Sequence, residues 1–171
     1  MILLKGVLIF NVFEMEVLNL YSGLGGNRQL WKNVDVTAIE KDHTIAEVYR
    51  ELYPEDETFE QDAHIHLLNE YKNYDFIWSS PPCQNNSRMI RSGKNRKPRY
   101  ADLKLYEEIL FLKYNFNGYW VVENVKPYYK PLIEPSAVIG RHLFWANFEI
   151  SEEFNIPKIK DFINKTTVKG S

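Results

Sequence analysis

Short apolar runs alternate with amphipathic segments along this chain, and the alternation restricts its fold more than any other feature. The runs at residues 17–21, 36–40, 75–79 and 119–125 are rich in β-branched or aromatic residues and predict buried strands. Between them, helical spacing of apolar residues predicts helices over 44–52, more weakly over 62–71, and after Asp102 as N-cap. Strands that alternate with helices predict a doubly wound α/β fold with a mostly parallel sheet covered on both faces.

The length of 171 residues fits a single domain, which we predict to span residues 15–150. An apolar extension at residues 1–14 precedes it, and a polar tail at 151–171 follows it. The extension is too short to cross a bilayer as a helix, and no small-residue cleavage site follows it. We interpret it as an extra edge strand or as the product of an upstream start.

Charge and cysteine content narrow the kinds of partner and site. The formal net charge of −2 gives no global signal for nucleic acid or membrane, so any basic surface must be local. One polar run, 85–101, carries six positive charges and no acidic residue: Arg88, Arg91, Lys94, Arg96, Lys97 and Arg99. Cys83 is the only cysteine, which excludes an intramolecular disulfide and a cysteine-based zinc site, and we predict no metal.

A glycine-rich segment follows the first predicted strand, where a doubly wound sheet binds its ligands. Its sequence, Tyr21-Ser22-Gly23-Leu24-Gly25-Gly26, fits neither the dinucleotide pattern nor a P-loop. Alone, it is equally well explained as a tight turn without a ligand.

Two acids extend this pattern along the chain. Glu40 ends the second strand and can accept hydrogen bonds from ribose hydroxyls, and Asp62, near the end of the third βα unit, can accept one from an adenine amino group. Each could instead be a surface residue or a helix cap. Together with the glycines they indicate a nucleoside cofactor without phosphates, and S-adenosylmethionine fits this description.

The only cysteine follows the fourth predicted strand, in Ser79-Ser80-Pro81-Pro82-Cys83-Gln84. The prolines fix the backbone beside a single thiol, although a small buried hydrophobic residue is the alternative interpretation. Glu123, in Glu-Asn-Val at the end of the next strand, follows an apolar run, so we expect it to be partly buried rather than a solvent-facing acid. A thiolate that adds to carbon 6 of cytosine makes carbon 5 nucleophilic toward a methyl donor, and an acid at ring nitrogen 3 accommodates the displaced electrons.

These motifs, in this order, resemble those of DNA (cytosine-5)-methyltransferases, and the short phage-type members look most similar. The resemblance implies the Rossmann-like fold of S-adenosylmethionine-dependent methyltransferases, with Cys83 as nucleophile, Glu123 as the base-binding acid and Asn124 as its structural support. It implies that the cofactor contacts Tyr21, Gly23, Gly25, Gly26, Glu40, Asp62 and Pro81. Tyr21 stands where the family usually has a phenylalanine that packs on adenine. Arg141, in a segment similar to the family's arginine-containing strand, is either a catalytic residue that helps to hold the base or a surface arginine.

The implied substrate is a cytosine in DNA, which must be flipped out of the duplex to reach a thiol. The basic run after Cys83 is suited to phosphate contacts, unless it is only a solvated loop. We predict that the substrate-binding residues are Gln84, Ser87, Arg88, Arg91, Lys94, Arg96 and Asn124. The expected location is the cytoplasm of a bacterium or of a phage-infected host.

The family's target-recognition segment and its closing Gly-Asn-Ser/Ala-Val motif have no counterpart before Ser171. The resemblance therefore predicts a C-terminally truncated catalytic domain. Four alternatives stay open: an inactive relic, one subunit of a split enzyme completed by a second polypeptide, a non-catalytic module that senses cofactor or nucleic acid, and an RNA cytosine methyltransferase.

Overall fold

The computed structural model describes residues 14–82 and 103–150. Within these residues the strands are β1 (Met15–Leu20), β2 (Val34–Glu40), β3 (Glu57–Glu60), β4 (Phe76–Ser79), β5 (Tyr119–Val125), β6 (Ala137–Ile139) and β7 (His142–Ala146). The α-helices are α1 (His43–Leu52), α2 (Ala63–Glu70) and α3 (Leu103–Asn115), and short 3-10 turns cover Arg28–Leu30 and Tyr71–Asn73. Among these elements, no helix has the length and apolar character needed to cross a membrane.

The strands form one sheet in the order β3-β2-β1-β4-β5-β7-β6. The pairs from β3 to β5 are all parallel, whereas β7 runs antiparallel to β5 and β6 runs antiparallel to β7. The predicted doubly wound, mostly parallel sheet is therefore confirmed. The order reverses between β1 and β4, and an open α/β sheet binds its ligands at such a reversal, beyond the carboxyl ends of the strands.

All four strands predicted from apolar runs are present, with ends shifted by no more than two residues. The predicted helices over 44–52 and 62–71 are also present, and α3 begins at Leu103. Asp102, its predicted N-cap, lies outside the described residues. No apolar run marked β3, because Glu57–Glu60 is a four-residue edge strand with a glutamate at each end. It is a strand because it pairs with β2.

The main hydrophobic core lies between one face of the sheet and the helices α2 and α3. Alternate residues of the inner strands face it, including Leu18, Leu20, Ile39 and Ile77, and α3 contributes a row of buried apolar residues: Leu105, Tyr106, Ile109 and Leu112. Alternate residues face the core because successive side chains of a strand point to opposite faces of the sheet. Buried residues continue to the ends of β1, β4 and β5, where Leu20, Ser79 and Asn124 lie.

Helix α1 packs on the opposite face of the sheet, where Tyr49 is fully buried. The Tyr49 hydroxyl donates to Asp56 at 2.7 Å, and burial raises the pKa of this phenol, with the hydrogen bond to Asp56 adding to the increase. Arg28 donates from Nε and Nη2 to the same carboxylate, at 2.9 and 2.8 Å for the two shortest contacts. These bonds tie the 3-10 turn after the glycine segment to the beginning of β3.

Candidate functional site

The glycine segment after β1 makes a tight turn at the carboxyl end of the sheet. Tyr21, Gly23 and Gly25 have φ values of 56°, 56° and 74°, in the left-handed region. A Cβ on Gly25 would also overlap the rings of Tyr53 and Tyr49. Gly25 is therefore required both by its backbone conformation and by the close approach of α1. The turn is held from outside by Ser22 N, which donates to Ile39 O at 3.0 Å.

Glu40 lies against this turn. Its Oε2 accepts from Gly23 N at 3.1 Å, and its Oε1 accepts from Lys41 N at 2.8 Å and Asp42 N at 2.9 Å. The carboxylate is thus fixed by three backbone amides at the junction of the β1 and β2 loops. Two of the predicted cofactor residues, Gly23 and Glu40, are in direct contact.

Asp62 is the N-cap of α2. Its Oδ1 accepts from His64 N at 3.1 Å and Ile65 N at 3.3 Å, while Lys41 Nζ lies 3.3 Å from Oδ2. Burial alone would raise the pKa of Asp62, but the hydrogen bonds from Ile65 and Lys41 outweigh it, and the pKa is lowered. Asp62 is therefore a helix cap, as the alternative interpretation of its sequence position predicted. Only one oxygen makes the cap bonds, so the cap leaves Oδ2 to interact with a ligand or with Lys41.

The residues around the turn fit a nucleoside cofactor. Among the described residues, a Cβ on Gly26 would meet no atom within 4 Å, and one on Gly23 would meet only Tyr21 O at 4.0 Å, so these residues leave space open on this side of the turn. Ser22 Oγ is buried and has no hydrogen-bond partner among the described residues. Open space and a polar atom without a described partner suit the amino-acid end of S-adenosylmethionine, and the carboxylates of Glu40 and Asp62 suit its ribose and its adenine. In the described part of the chain, no group of histidine and acid side chains is arranged to hold a metal ion.

The fourth strand leads to Pro81 and Pro82, where the first described range ends. Asn124 is almost fully buried, and its Nδ2 donates to Pro81 O at 2.9 Å. Its Oδ1 accepts from Val125 N at 2.9 Å. The amide therefore ties the end of β5 to the segment two residues before Cys83. Several predicted site residues lie outside the described residues: Cys83, Gln84, Ser87, Arg88, Arg91, Lys94 and Arg96.

Glu123 precedes Asn124 on β5, and its side chain is 18% exposed, which agrees with the expected partial burial. Its Oε1 lies 3.1 Å from Nδ1 of His142 on β7. Arg141 Nε donates to the other ring nitrogen of His142, at 3.2 Å. His142 therefore lies between the two residues, with Nε2 accepting from Arg141 and Nδ1 facing the Glu123 carboxylate.

Arg141 itself is exposed, in the turn between β6 and β7 after Gly140, whose φ is 59°. The described contact of its guanidinium is the one with His142. A role in holding the base stays a prediction for Arg141. His142 was missed by sequence reasoning, because only the antiparallel pairing of β5 with β7 brings it beside Glu123.

A second residue missed from the sequence is Glu108. It lies on α3 with no exposed surface, and it accepts hydrogen bonds from Tyr21 Oη at 2.5 Å and Ser79 Oγ at 2.7 Å. His64 Nδ1 lies 3.2 Å away. The hydroxyl that distinguishes Tyr21 from a phenylalanine is thus used in a buried bond. An acid among the apolar residues of a helix was the available signal for Glu108, but nothing in the sequence identified its partners.

Comparisons with known proteins identify the family and the fold. The model of the family described as C-5 cytosine-specific DNA methylase matches residues 15–131. No curated protein matches the chain significantly.

Solved structures that are similar to this chain include the following three. A Haemophilus influenzae protein, provisionally described as a methylase, has a TM-score of 0.52 at 20% identity over 80% of each chain. A hypothetical protein from Thermus thermophilus has a TM-score of 0.55 at 17% identity, over 81% of this chain and 77% of that one. A mutant of DNMT2 from Spodoptera frugiperda is 28% identical over 66% of this chain, with a TM-score of 0.46, and the match covers 36% of DNMT2. The first two show the fold alone.

The family model covers more than half of the chain, from β1 to the loop after β5, and includes every described residue of the site except those on β7 and in the turn before it. The chain belongs to the C-5 cytosine-specific DNA methylase family.

Proposed function

We propose that this chain transfers a methyl group from S-adenosylmethionine to carbon 5 of cytosine in DNA, through a covalent adduct with Cys83. Membership of the methylase family supports methyl transfer. The observation that carries the finer proposal is the 2.9 Å bond from Asn124 to Pro81 O, next to Glu123. It supports a site in which Asn124 holds the backbone two residues before Cys83 and the preceding residue, Glu123, supplies the acid.

The chemistry follows from these groups. The Cys83 thiolate adds to carbon 6 of the flipped cytosine, and the electron pair that this addition releases makes carbon 5 nucleophilic. S-adenosylmethionine supplies the electrophilic methyl group when bound. After carbon 5 is methylated, a base removes its proton, and the carbon 6 to sulfur bond breaks to release the thiolate. Glu123 hydrogen-bonds to ring nitrogen 3 and accommodates the negative charge that develops there.

The described contacts assign parts of the cofactor to parts of the chain. Glu40, fixed at the glycine turn, is positioned to accept from ribose hydroxyls. Asp62 Oδ2, which does not take part in the helix cap, is the oxygen available to an adenine amino group. The turn at Gly23–Gly26 and Ser22 Oγ face the amino-acid end. In this arrangement Lys41 gives up its contact with Asp62 when the cofactor binds.

The test is a transfer assay with a trap. The protein is incubated with radiolabelled S-adenosylmethionine and either DNA or RNA, and in parallel with DNA that contains 5-fluorocytosine. The proposal expects label in DNA and, on the fluorinated DNA, an adduct that survives denaturation, because fluorine cannot leave as a proton does. Label in RNA alone would show that the substrate is RNA and not DNA. The absence of both label and adduct with either nucleic acid would overturn the proposal.

The basic run at 85–101 is proposed to bind DNA phosphates. Replacing Arg91, Lys94 and Arg96 with alanine should weaken DNA binding uniformly across sequences, and should lower the slope of log affinity against log salt by about 3. Titrations with labelled duplex at several salt concentrations measure this slope.

A matched triple variant controls for net charge. Lys32, Lys72 and Lys113 each lie shortly before a parallel strand begins. They are therefore at the amino edge of the sheet, opposite the carboxyl edge that carries the candidate site. Their replacement with alanine should leave the slope almost unchanged. Equal slopes for the two triple variants would contradict a phosphate-binding role for the basic run.

A further inference from the structure

The Glu108 carboxylate is buried in the main hydrophobic core, on the sheet-facing side of α3. Its neighbours on the helix include Leu105, Ile109 and Leu112, and none of its surface is exposed. Burying a carboxylate costs several kcal/mol unless hydrogen bonds replace its hydration. A glutamate in this position is therefore maintained only by the donors around it.

Those donors come from three separate segments at the carboxyl edge of the sheet. Tyr21 begins the glycine turn, Ser79 is the last residue of β4, and His64 lies in the first turn of α2. Oε1 accepts from Tyr21 and contacts His64, while Oε2 accepts from Ser79. One carboxylate therefore connects the glycine turn, the Asp62-capped helix and the strand that leads to Pro81.

Two of these segments carry the proposed cofactor contacts. The Tyr21 backbone is held in the left-handed region at φ 56°, and its hydroxyl bond to Glu108 at 2.5 Å fixes the direction of the ring. His64 donates its backbone N–H to Asp62 Oδ1 while its ring contacts Glu108, so the position of the Asp62 cap depends on the same carboxylate.

We propose that Glu108 is a positioning residue for the cofactor site, which acts through Tyr21 and His64 without touching the cofactor. This inference rests on the proposed function, since it takes S-adenosylmethionine and its product S-adenosylhomocysteine as the ligands. Glu108 holds the aromatic ring at position 21 and the first turn of α2 at the spacing that receives the adenosine. Loss of its charge releases both at once.

The test separates positioning from plain stability. Glu108→Gln keeps the side-chain volume but replaces one acceptor oxygen with a donor, and Tyr21→Phe removes one of the same hydrogen bonds with little change in the core. We measure S-adenosylhomocysteine binding by calorimetry, well below the melting temperature of each variant, and thermal unfolding in parallel. Leu112→Ala, a cavity variant in the same helix, is the matched control for loss of stability.

Glu108→Gln should weaken S-adenosylhomocysteine binding by about tenfold or more, because a hydrogen bond to a charged group is lost from the support of the site. Tyr21→Phe should weaken it less, and the double variant should bind no more weakly than Glu108→Gln alone, since both changes break the same bond. Leu112→Ala should unfold at a lower temperature but bind as the wild type does.

Wild-type affinity in both Glu108→Gln and Tyr21→Phe would overturn the positioning role and leave the proposed function intact. Equal weakening by Leu112→Ala and Glu108→Gln would also overturn it, because stability alone would then explain the loss. Failure of the wild-type protein to bind S-adenosylhomocysteine would instead count against the cofactor assignment itself.

Discussion

Replacing Cys83 with serine should abolish methyl transfer and leave S-adenosylhomocysteine binding unchanged. A thiol ionises close to neutral pH, with a pKa of about 8.5 in an ordinary environment, whereas a serine hydroxyl stays protonated and is a far weaker nucleophile. Without addition at carbon 6, carbon 5 of cytosine does not attack the methyl donor. The measurement is label transfer to DNA, together with adduct formation on 5-fluorocytosine DNA.

The experiment is sharp because Cys83 is the only cysteine in the chain. No second thiol can replace it, and Cys83→Ala serves as a control in which no hydroxyl is left at the position. Both variants should lack the denaturation-resistant adduct. An adduct that persists in either one would show that another residue is the nucleophile.

Replacing Glu123 with glutamine should lower the turnover rate by on the order of 100-fold or more, with cofactor binding unchanged. The change keeps the size of the side chain and its place beside His142, but the amide cannot deliver a proton to ring nitrogen 3. Single-turnover transfer at saturating DNA measures the effect, because it separates the chemical step from DNA binding.

Glu134→Gln is the matched control for this variant. Glu134 is 73% exposed and pairs with Lys130 at 3.0 Å, away from the described site residues. The same amide substitution there should not change turnover. A Glu123→Gln enzyme with the wild-type single-turnover rate would remove Glu123 from the chemistry.

Much of the fold was predictable because its main strands are buried. A strand covered on both faces is apolar along its length, so β1, β2, β4 and β5 were visible as apolar runs. The strands at or near the edges were harder. β3 carries a glutamate at each end and was not marked by its own sequence pattern, since edge strands are specified by pairing with a neighbour.

The candidate site shows a similar division. Tyr21, Gly23 and Glu40 could be predicted as candidates because they lie at or just after the ends of strands that apolar runs marked, and parallel strands bring their carboxyl ends to one edge. Asp62 was predicted from its place near the end of the third βα unit, although no apolar run marked β3 itself. The contacts among these residues were harder to predict. Asp62 caps α2 with one carboxylate oxygen and faces Lys41 with the other, and this depends on where α2 begins.

The sequence alone determined the order of the four buried strands and of the helices between them, the single thiol and the edge of the sheet at which the candidate site was predicted, because these follow from periodicity and from chain direction. Only the tertiary structure decided which side chains support that site. Glu108 lies 87 residues from Tyr21 along the chain, and His142 reaches Glu123 only through an antiparallel pairing. Contacts of this kind depend on how helices and strands pack across the sheet, and local patterns in the sequence carry no information about that packing.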